Sequence, residues 1–330
     1  MKGPTVKTSR LLLAALFLTV ASLPLAAQVN DTYIITAAAN QGGANNTRWL
    51  TQFSIFNPQL DHDLVVSVTF LPTGGAQGAE ERITVPRNSL AFSDNILLDL
   101  FGIANGGGSL LVATFPEDNP GVPNTVLDRS FLVTTNTYNN ASSGTYGQTN
   151  PGVWIGMLDD GITAIAQNVR NSSRSGWRTN IGAVNLGRCS ATLRVNVYDA
   201  DGNTILKNAP FVMPPLGHFQ DRLPVDNDAA TVEFWVEDPC ASSNTDYAVV
   251  FPYASTIDPR SGDPQYQAPM LLAPLSSLTS KGVRTTALAS DPTSIGKKID
   301  TKYARGVREQ AEYRGMATLM HDAKGWRIQR

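Results

Sequence analysis

Trp49-Leu50-Thr51-Gln52-Phe53-Ser54-Ile55-Phe56-Asn57 is a nine-residue stretch that recurs 128 positions later as Trp177-Arg178-Thr179-Asn180-Ile181-Gly182-Ala183-Val184-Asn185. Trp, Thr and Asn stand at the same places in both copies, and apolar residues coincide at three further places. The same offset also joins Ile34 to Ile162, Asn40 to Asn168 and Pro86 to Pro214. Separate identities at one constant shift indicate an internal duplication, with units near 31–158 and 159–279.

Both units show the two-residue period of half-buried β-strands. In the second unit Leu193, Val195 and Val197 alternate with less apolar residues, which places one face of the strand against a core. We predict seven strands there, near 162–169, 178–184, 192–199, 204–212, 218–222, 230–237 and 246–254, and a similar series in the first unit. This pattern predicts an all-β protein of two tandem antiparallel β-sandwich (immunoglobulin-like) domains, with a small barrel as the alternative.

The two ends of the chain differ from the duplicated part. Residues 1–27 combine a basic start, an apolar run and small residues at 26–27, which is the pattern of a secretory signal peptide. The apolar run is shorter than the roughly 20 residues that span a bilayer, so we predict export and no transmembrane segment after cleavage. For residues 280–330 we predict a linker and then a basic, partly helical or disordered C-terminal tail.

Charge is unevenly distributed along the chain. Residues 28–280 contain 12 Lys and Arg against 23 Asp and Glu, whereas residues 281–330 contain 11 basic and 5 acidic residues. An acidic body argues against nucleic-acid binding by the duplicated part. We therefore expect a protein or a cell-envelope glycan as partner, and no nucleic acid.

The chain has two cysteines, Cys189 and Cys240. An exported chain meets an oxidising compartment, where thiols form bridges. Cys189 falls between the second and third predicted strands and Cys240 between the sixth and seventh. Those loops emerge at the same end of an immunoglobulin-like sandwich, so we predict a disulfide between them.

Residues with catalytic or metal-binding chemistry are scarce and dispersed. His62, His218 and His321 lack the spacing of metal ligands, and no Gly-x-Ser-x-Gly motif accompanies them. The paired carboxylates Asp159 and Asp160 precede a glycine between the two units, which is typical of a solvated linker. We therefore predict no enzyme activity, no catalytic residue, no metal and no cofactor.

Two motifs resemble ligand-binding loops only in part. Asp199-x-Asp201-x-Asn203 begins like a calcium loop, but the twelfth position is Pro210 where an EF-hand needs Glu. A hairpin turn is the better interpretation. The run at 106–108 is three glycines, but a strand follows it, without the Lys and helix of a phosphate-binding loop. We predict a flexible loop there.

Aromatic residues supply the candidate ligand-binding site. Trp49 and Trp177 are duplicated, which favours core anchors over ligand platforms. The stretch 136–154 is rich in Tyr, Asn, Ser and Gly, a composition that gives adaptable polar contacts around rigid aromatic rings, unless it is an ordinary linker between the units. The candidate ligand-binding residues are Tyr138, Asn140, Tyr146 and Trp154.

Three features of the sequence resemble those of a known group of proteins. They are the signal sequence, the repeated Trp-x-Thr-x-x-x-x-x-Asn at 49–57 and 177–185, and the Tyr-Asp-Ala-Asp-Gly turn at 198–202. The chain is similar to uncharacterised exported bacterial proteins built from tandem immunoglobulin-like sandwich repeats. The resemblance covers about 31–279 and implies a fold, but no activity and no site residues.

These observations favour an exported protein without catalysis, in the periplasm, at the cell surface or outside the cell. The leading hypothesis is a structural or protein-interaction module. The alternative is a carbohydrate-binding module that uses the stretch 136–154. A third hypothesis, a hydrolase, would need buried carboxylates that face each other across a cleft.

Overall fold

The computed structural model describes residues 30–43, 47–141, 144–153, 163–237, 249–272, 301–322 and 325–329. The predicted signal peptide lies outside them. No helix in these ranges has the length and apolar character needed to cross a membrane. The described residues form two helices, α1 (Ile96–Asp99) and α2 (Thr301–Arg308), and these strands: β1 (Thr32–Gly42), β2 (Arg48–Asn57), β3 (Leu64–Pro72), β4 (Ala79–Val85), β5 (Ser89–Ser93), β6 (Gly106–Thr114), β7 (Leu132–Ala141), β8 (Gly144–Pro151), β9 (Thr163–Asn171), β10 (Arg178–Asn185), β11 (Ala191–Asp199), β12 (Thr204–Met213), β13 (Gly217–Arg222), β14 (Asn227–Glu237), β15 (Val250–Ile257), β16 (Pro264–Gln267), β17 (Met270–Leu272), β18 (Glu312–Asp322) and β19 (Gly325–Gln329).

The second unit consists of two facing antiparallel sheets. One has the strand order β12-β11-β14-β9-β17 and the other β13-β10-β15-β16. Leu193, Val195 and Val197 on β11 are fully buried, as their alternation predicts. The inner faces of both sheets contribute to one apolar core, which includes Ile181 and Phe234.

The first unit repeats this arrangement, but its two sheets are joined into a closed barrel. The order β4-β3-β6-β1 matches β12-β11-β14-β9, and β5-β2-β7-β8 matches β13-β10-β15-β16. On one side β1 pairs directly with β2. On the other side the hairpin β18–β19 fills the gap, with β18 parallel to β4 and β19 parallel to β5. The closed order is therefore β1-β6-β3-β4-β18-β19-β5-β2, and β7 and β8 extend the sheet beyond it.

The prediction of two tandem immunoglobulin-like sandwiches is wrong. In an immunoglobulin domain the second strand lies between the first and the fifth, whereas β2 lies between β5 and β7, and β10 between β13 and β15. Each unit also has an eighth strand, β8 or β16. The first unit is a barrel because a hairpin from the far end of the chain covers the edges of β4 and β5, and unpaired edges are a liability in β proteins.

The described part of the predicted C-terminal tail, 301–322 and 325–329, is ordered against the barrel. It begins with helix α2, as a partly helical tail predicts, and β18 and β19 account for most of its other residues. Residues 280–300 lie outside the described residues. The cations of the described part face an acidic surface of the first unit, which explains the uneven charge of the sequence. The ion pairs are Arg305 with Glu117, Arg308 with Glu80 and Asp118, and Arg327 with Asp94.

The duplicated asparagines at the ends of β2 and β10 are fully buried and make equivalent hydrogen bonds. The amide of Asn57 donates to the carbonyl of Val85, and that of Asn185 donates to the carbonyl of Pro214. In both copies the backbone N–H two residues later donates to the asparagine Oδ1. Since an unpaired buried amide is costly, these bonds explain why the repeated stretch ends in Asn.

A third apolar cluster packs the two units and α2 together. The barrel contributes Ile34 and Phe115, the second unit contributes Val184 and Phe251, and α2 contributes Val307. All five side chains are at most 2% exposed. The two units are therefore held in one arrangement by a shared core, which fixes the walls of the cleft between them.

Of the two cysteines, Cys189 lies in the described chain, between β10 and β11, and the described residues contain no free thiol. Cys240 lies outside the described residues. The bridge between these two residues therefore stays a prediction.

Candidate functional site: the cleft between the two units

A cleft of about 360 Å³ separates part of the barrel from the β13-β10-β15-β16 sheet. Its volume is near the lower end of the range for small-molecule sites. The barrel wall comes from β1, β2, β6, β7 and β8, and the opposite wall comes from the outer face of the sheet in the second unit. The lining residues are Ala37, Ala38, Ala39, Gln41, Gly42, Gly43, Trp49, Thr73, Gly107, Gly108, Thr137, Gln148, Arg178, Asn180, His218, Gln220, Ser255, Ile257 and Pro264.

Small residues make the space on the barrel side. The pairing of β1 with β6 shifts register between Ile35 and Ala38, an irregularity typical of a β-bulge. The three consecutive alanines, 37–39, lie at this shift or directly after it. Gly107 and Gly108 lie opposite them on β6. A Cβ atom at Gly108 would lie 2.1 Å from the carbonyl oxygen of Leu71, so only glycine permits this close approach of β6 to β3. The predicted flexible loop at 106–108 is therefore wrong, because these glycines begin a strand.

Strand register brings the polar residues of the second unit onto one face. Arg178 pairs with Ile257, and Asn180 pairs with Ser255. Directly paired residues share a face, and residues two apart along a strand do so as well. Arg178, Asn180 and Ser255 therefore face the barrel together, while Ile181, the residue after Asn180, points into the core of the second unit.

Hydrogen bonds across the junction hold the two walls in place. Ser255 Oγ donates to Gln148 Oε1 at 2.9 Å, and Thr36 Oγ1 lies 2.7 Å from Tyr266 Oη. The backbone N–H of Gly147 donates to Asp263 at 3.0 Å. With the shared apolar cluster, these contacts make the cleft a preformed site.

Several polar side chains in the cleft are not used by the protein. The amides of Gln41 and Asn180 line it without a hydrogen-bond partner among the described residues. Gln148 and Gln220 each accept a hydrogen bond at the amide oxygen, which leaves their amide nitrogens as donors. The guanidinium of Arg178 forms no ion pair in the described chain. These groups can bind a polar molecule.

His218 lies beside the cleft in a buried position. Its Nδ1 is 2.8 Å from Thr73 Oγ1, and its Nε2 is 2.9 Å from Tyr253 Oη. The Tyr253 hydroxyl in turn donates to Gln220 Oε1. Burial lowers the pKa of His218 to about 3. The imidazole is therefore neutral and engaged at both nitrogens, so it is not a free base for catalysis.

The burial of His218 predicts a loss of stability in mild acid. The unfolded chain takes up a proton at this residue near a pKa of 6.5, whereas the folded chain does so only near 3. The free energy of unfolding should therefore fall as the pH drops below about 6.5, by about 2 kcal/mol at pH 5 from this group. Urea unfolding at pH 7 and pH 5 measures it. His218→Gln should remove this part of the loss, and an equal loss in that variant would contradict the assignment.

Three of the four candidate residues, Tyr138, Asn140 and Tyr146, lie in a hairpin, β7–β8, at the edge of the cleft. Tyr146 lies opposite Asn139, which lies opposite Trp49, so all three share a face of the sheet. Tyr138 lies on the other face, and its hydroxyl donates to the carbonyl of Asp94. For Asn140 only the backbone is described, where it pairs with Thr145. Trp154 lies outside the described residues.

The two duplicated tryptophans have different surroundings. Trp49 is half-buried in the cleft wall, whereas Trp177 is half-buried beneath the guanidinium of Arg170, 5.0 Å from its ring centre. Neither ring lies in an apolar core, so the prediction of core anchors is wrong. Only the first copy presents its indole to the cleft, because only that copy faces the other unit.

Sequence reasoning missed the polar residues of the second unit, Arg178, Asn180 and Gln220. They alternate along β10 and β13, which indicates an outward face. The pattern does not show that this face meets a second unit. Thr137 and Gln148 lie within the stretch 136–154, but in the sequence the aromatic residues of this stretch are the stronger indication of a binding site.

The acidic pair that the hydrolase hypothesis needs is not found among the described residues of this cleft. They include no Asp or Glu. In the described ranges no three His, Cys, Asp or Glu side chains are grouped to hold a metal ion. The buried carboxylates Glu80 and Asp118 lie on the barrel and are paired with Arg82 and Arg308. They do not face each other across a cleft, as the hydrolase hypothesis needs. The Asp159–Asp160 pair lies outside the described residues.

No protein-family model and no curated protein matches the sequence. Among solved structures, a lectin from Pleurotus ostreatus in complex with GalNAc is matched with a TM-score of 0.17 and 8% identity, over 74% of this chain and 84% of that chain. A TM-score this low carries no information about fold or ligand.

Proposed function

We propose that this protein is an exported, non-catalytic binding module and that the cleft between its two units binds a saccharide. The observation that supports this most is the set of unpartnered polar groups around an indole. Gln41 and Asn180 offer amides, Gln148 offers an amide nitrogen, and Trp49 contributes to the lining with its indole. Export is proposed from the signal-peptide pattern at 1–27.

The chemistry of the lining suits a sugar ring. A sugar presents hydroxyl groups at its rim, which both donate and accept hydrogen bonds, and C–H groups on its faces, which pack on an aromatic ring. Amides are matched partners because each has a donor and an acceptor. Trp49 gives a flat, rigid apolar surface at one end of the cleft.

The site extends beyond the cavity along the β7–β8 hairpin. Trp49, Asn139 and Tyr146 form a cross-strand row on one face, and Tyr146 is half-buried. Neighbouring strands lie about 4.8 Å apart, so Trp49 and Tyr146, which are two strands apart, are separated by about the length of two sugar rings. We therefore expect short oligosaccharides to bind more tightly than monosaccharides.

The preformed walls and the lack of acidic groups favour binding over turnover. Hydrolysis of a glycosidic bond uses a pair of carboxylates, and none lines the described cleft. A protein partner is the competing hypothesis, and it predicts contacts on the outer surface rather than in the cleft.

The test is binding of the full chain to a glycan array, followed by titration calorimetry with the best oligosaccharide. Trp49→Ala should weaken binding about tenfold or more, because it removes the aromatic surface of the cleft. Trp177→Ala is the matched control, since it removes the equivalent indole of the other repeat, and it should leave the affinity unchanged.

Three outcomes would contradict the proposal. Equal losses in Trp49→Ala and Trp177→Ala would place the site elsewhere or indicate a general loss of structure. Binding that requires Tyr138 but not Trp49 would favour the opposite face of the hairpin. Retention of a protein partner by both tryptophan variants, without glycan binding, would support the protein-interaction hypothesis instead.

A further inference from the structure

Arg178 is the residue of the cleft whose chemistry is least satisfied by the protein. It begins β10, opposite Ile257 on β15. Its side chain is half-buried, and its Nε is buried without a hydrogen-bond partner. By contrast, Arg308 and Arg129 pair with buried carboxylates, Asp118 and Asp31.

The described residues that line the cleft with Arg178 are neutral. Asn180 and Ser255 lie on the same sheet face, and Gln41 and Gln148 line the cleft with them. Ile257 and Pro264 are apolar, and His218 is neutral because it is buried. No carboxylate among the described residues lines the cleft to balance the cation. A partly desolvated guanidinium without a counter-charge favours binding of an anion.

The number of cations limits which anion fits. Arg178 is the one charged side chain among the described lining residues, and that lining contains no Lys. A carboxylate carries one negative charge and matches a guanidinium with two parallel hydrogen bonds. A phosphate monoester carries nearly two charges at neutral pH and would leave part of its charge unbalanced in this cleft.

We propose that the saccharide bound in the cleft is an acidic one, and that its carboxylate pairs with Arg178. This inference rests on the proposed saccharide site and adds the class of sugar, a uronic acid or another sugar acid. Trp49 and the amides then contact the ring, while Arg178 distinguishes the acid from its neutral counterpart.

The experiment compares oligosaccharides of glucuronic, galacturonic and mannuronic acid with their methyl esters, which keep the ring and remove the charge. Titration calorimetry with the full chain should give affinities at least tenfold higher for one acid than for its ester. Arg178→Gln should lower the affinity for the acid to that for the ester and leave binding of the ester unchanged. Arg170→Gln, at the arginine that lies over Trp177 outside the cleft, is the matched control and should behave as the wild type.

The outcomes separate this inference from the saccharide proposal. Equal binding of acid and ester by the wild type, unchanged in Arg178→Gln, would overturn the role of Arg178 and leave the saccharide site standing. Binding of succinate as tight as that of the sugar acid, lost in Arg178→Gln, would support the carboxylate pairing and overturn the saccharide. Failure of the wild type to bind acids, esters and succinate would overturn the role of Arg178, and failure to bind any oligosaccharide of the glycan array as well would overturn both proposals.

Discussion

Replacing Arg308 with alanine is expected to lower the free energy of unfolding by about 3–5 kcal/mol, because it removes one of the two cations that balance a pair of buried carboxylates. Arg308 Nε lies 3.0 Å from Glu80, and Nη1 lies 2.7 Å from Asp118. The side chains of these acids are 3% and 6% exposed. Arg82 is then the one remaining cation paired with both. Urea unfolding at neutral pH, followed by tryptophan fluorescence, measures the loss.

Arg305 provides the control for this variant. It lies one turn earlier on α2 and pairs with Glu117, but both side chains are nearly half-exposed. Exposed ion pairs contribute about 0–1 kcal/mol, so Arg305→Ala should have little effect. Equal destabilisation by the two variants would show that the burial of the Glu80–Asp118 cluster does not matter.

Deleting residues 301–330 is expected to abolish the cooperative folding of the first unit. The deletion removes two of the eight strands of the barrel and exposes the edges of β4 and β5. It also removes Ile328, which is buried in the barrel core, and Arg308 with it. The combined loss should exceed that of Arg308→Ala and approach the total stability of a domain, about 5–15 kcal/mol.

Hydrogen exchange distinguishes local from global loss of structure in the truncated chain. Peptides from β4 and β5 should lose protection, because their hydrogen bonds to the hairpin are gone. Peptides from β11 and β14 should stay protected, since the core of the second unit contains no residue from the deleted segment. Wild-type protection of β4 and β5 in the truncated chain would show that the hairpin does not close the barrel.

Much of the strand content could be predicted from the sequence. The predicted strands at 178–184, 192–199 and 204–212 match β10, β11 and β12 within one residue at each end. The alternation is clearest in β11, where buried residues alternate with partly exposed ones. The turn at 199–203 is also confirmed. There Asp199 accepts hydrogen bonds from Asn203, which lower the pKa of its carboxyl group.

Long-range pairing could not be predicted in the same way. Neither β18 nor β19 resembles any element of the repeat, and the composition of residues 302–320, which include most of β18, favours a helix. They are strands because the barrel offers two unpaired edges and acidic partners for Arg308 and Arg327, and tertiary context overrides local propensity. In the sequence, this contact is indicated only by the opposite net charges of the two parts, acidic for residues 28–280 and basic for residues 281–330.

The candidate site was predicted only in part for the same reason. The hairpin that carries Tyr146 borders the cleft, but the cleft itself depends on how the outer face of β10 meets the barrel. That arrangement is set by buried residues such as Ile34 and Phe251 from separate units. A repeat signal identifies equivalent positions and does not show which copy, Trp49 or Trp177, faces a partner.

The place of the C-terminal hairpin in the barrel has a consequence for the order of folding during synthesis. Glu312 on β18 pairs with Ala79 on β4. Ala79 is synthesised more than 200 residues before Glu312, so β4 leaves the ribosome long before β18. The strands of the second unit are all synthesised before β18 and β19, whereas the first unit keeps two open sheet edges until residues 312–329 have been made. Contacts of such long sequence separation form slowly, so this interval is when the nascent chain is most exposed to aggregation.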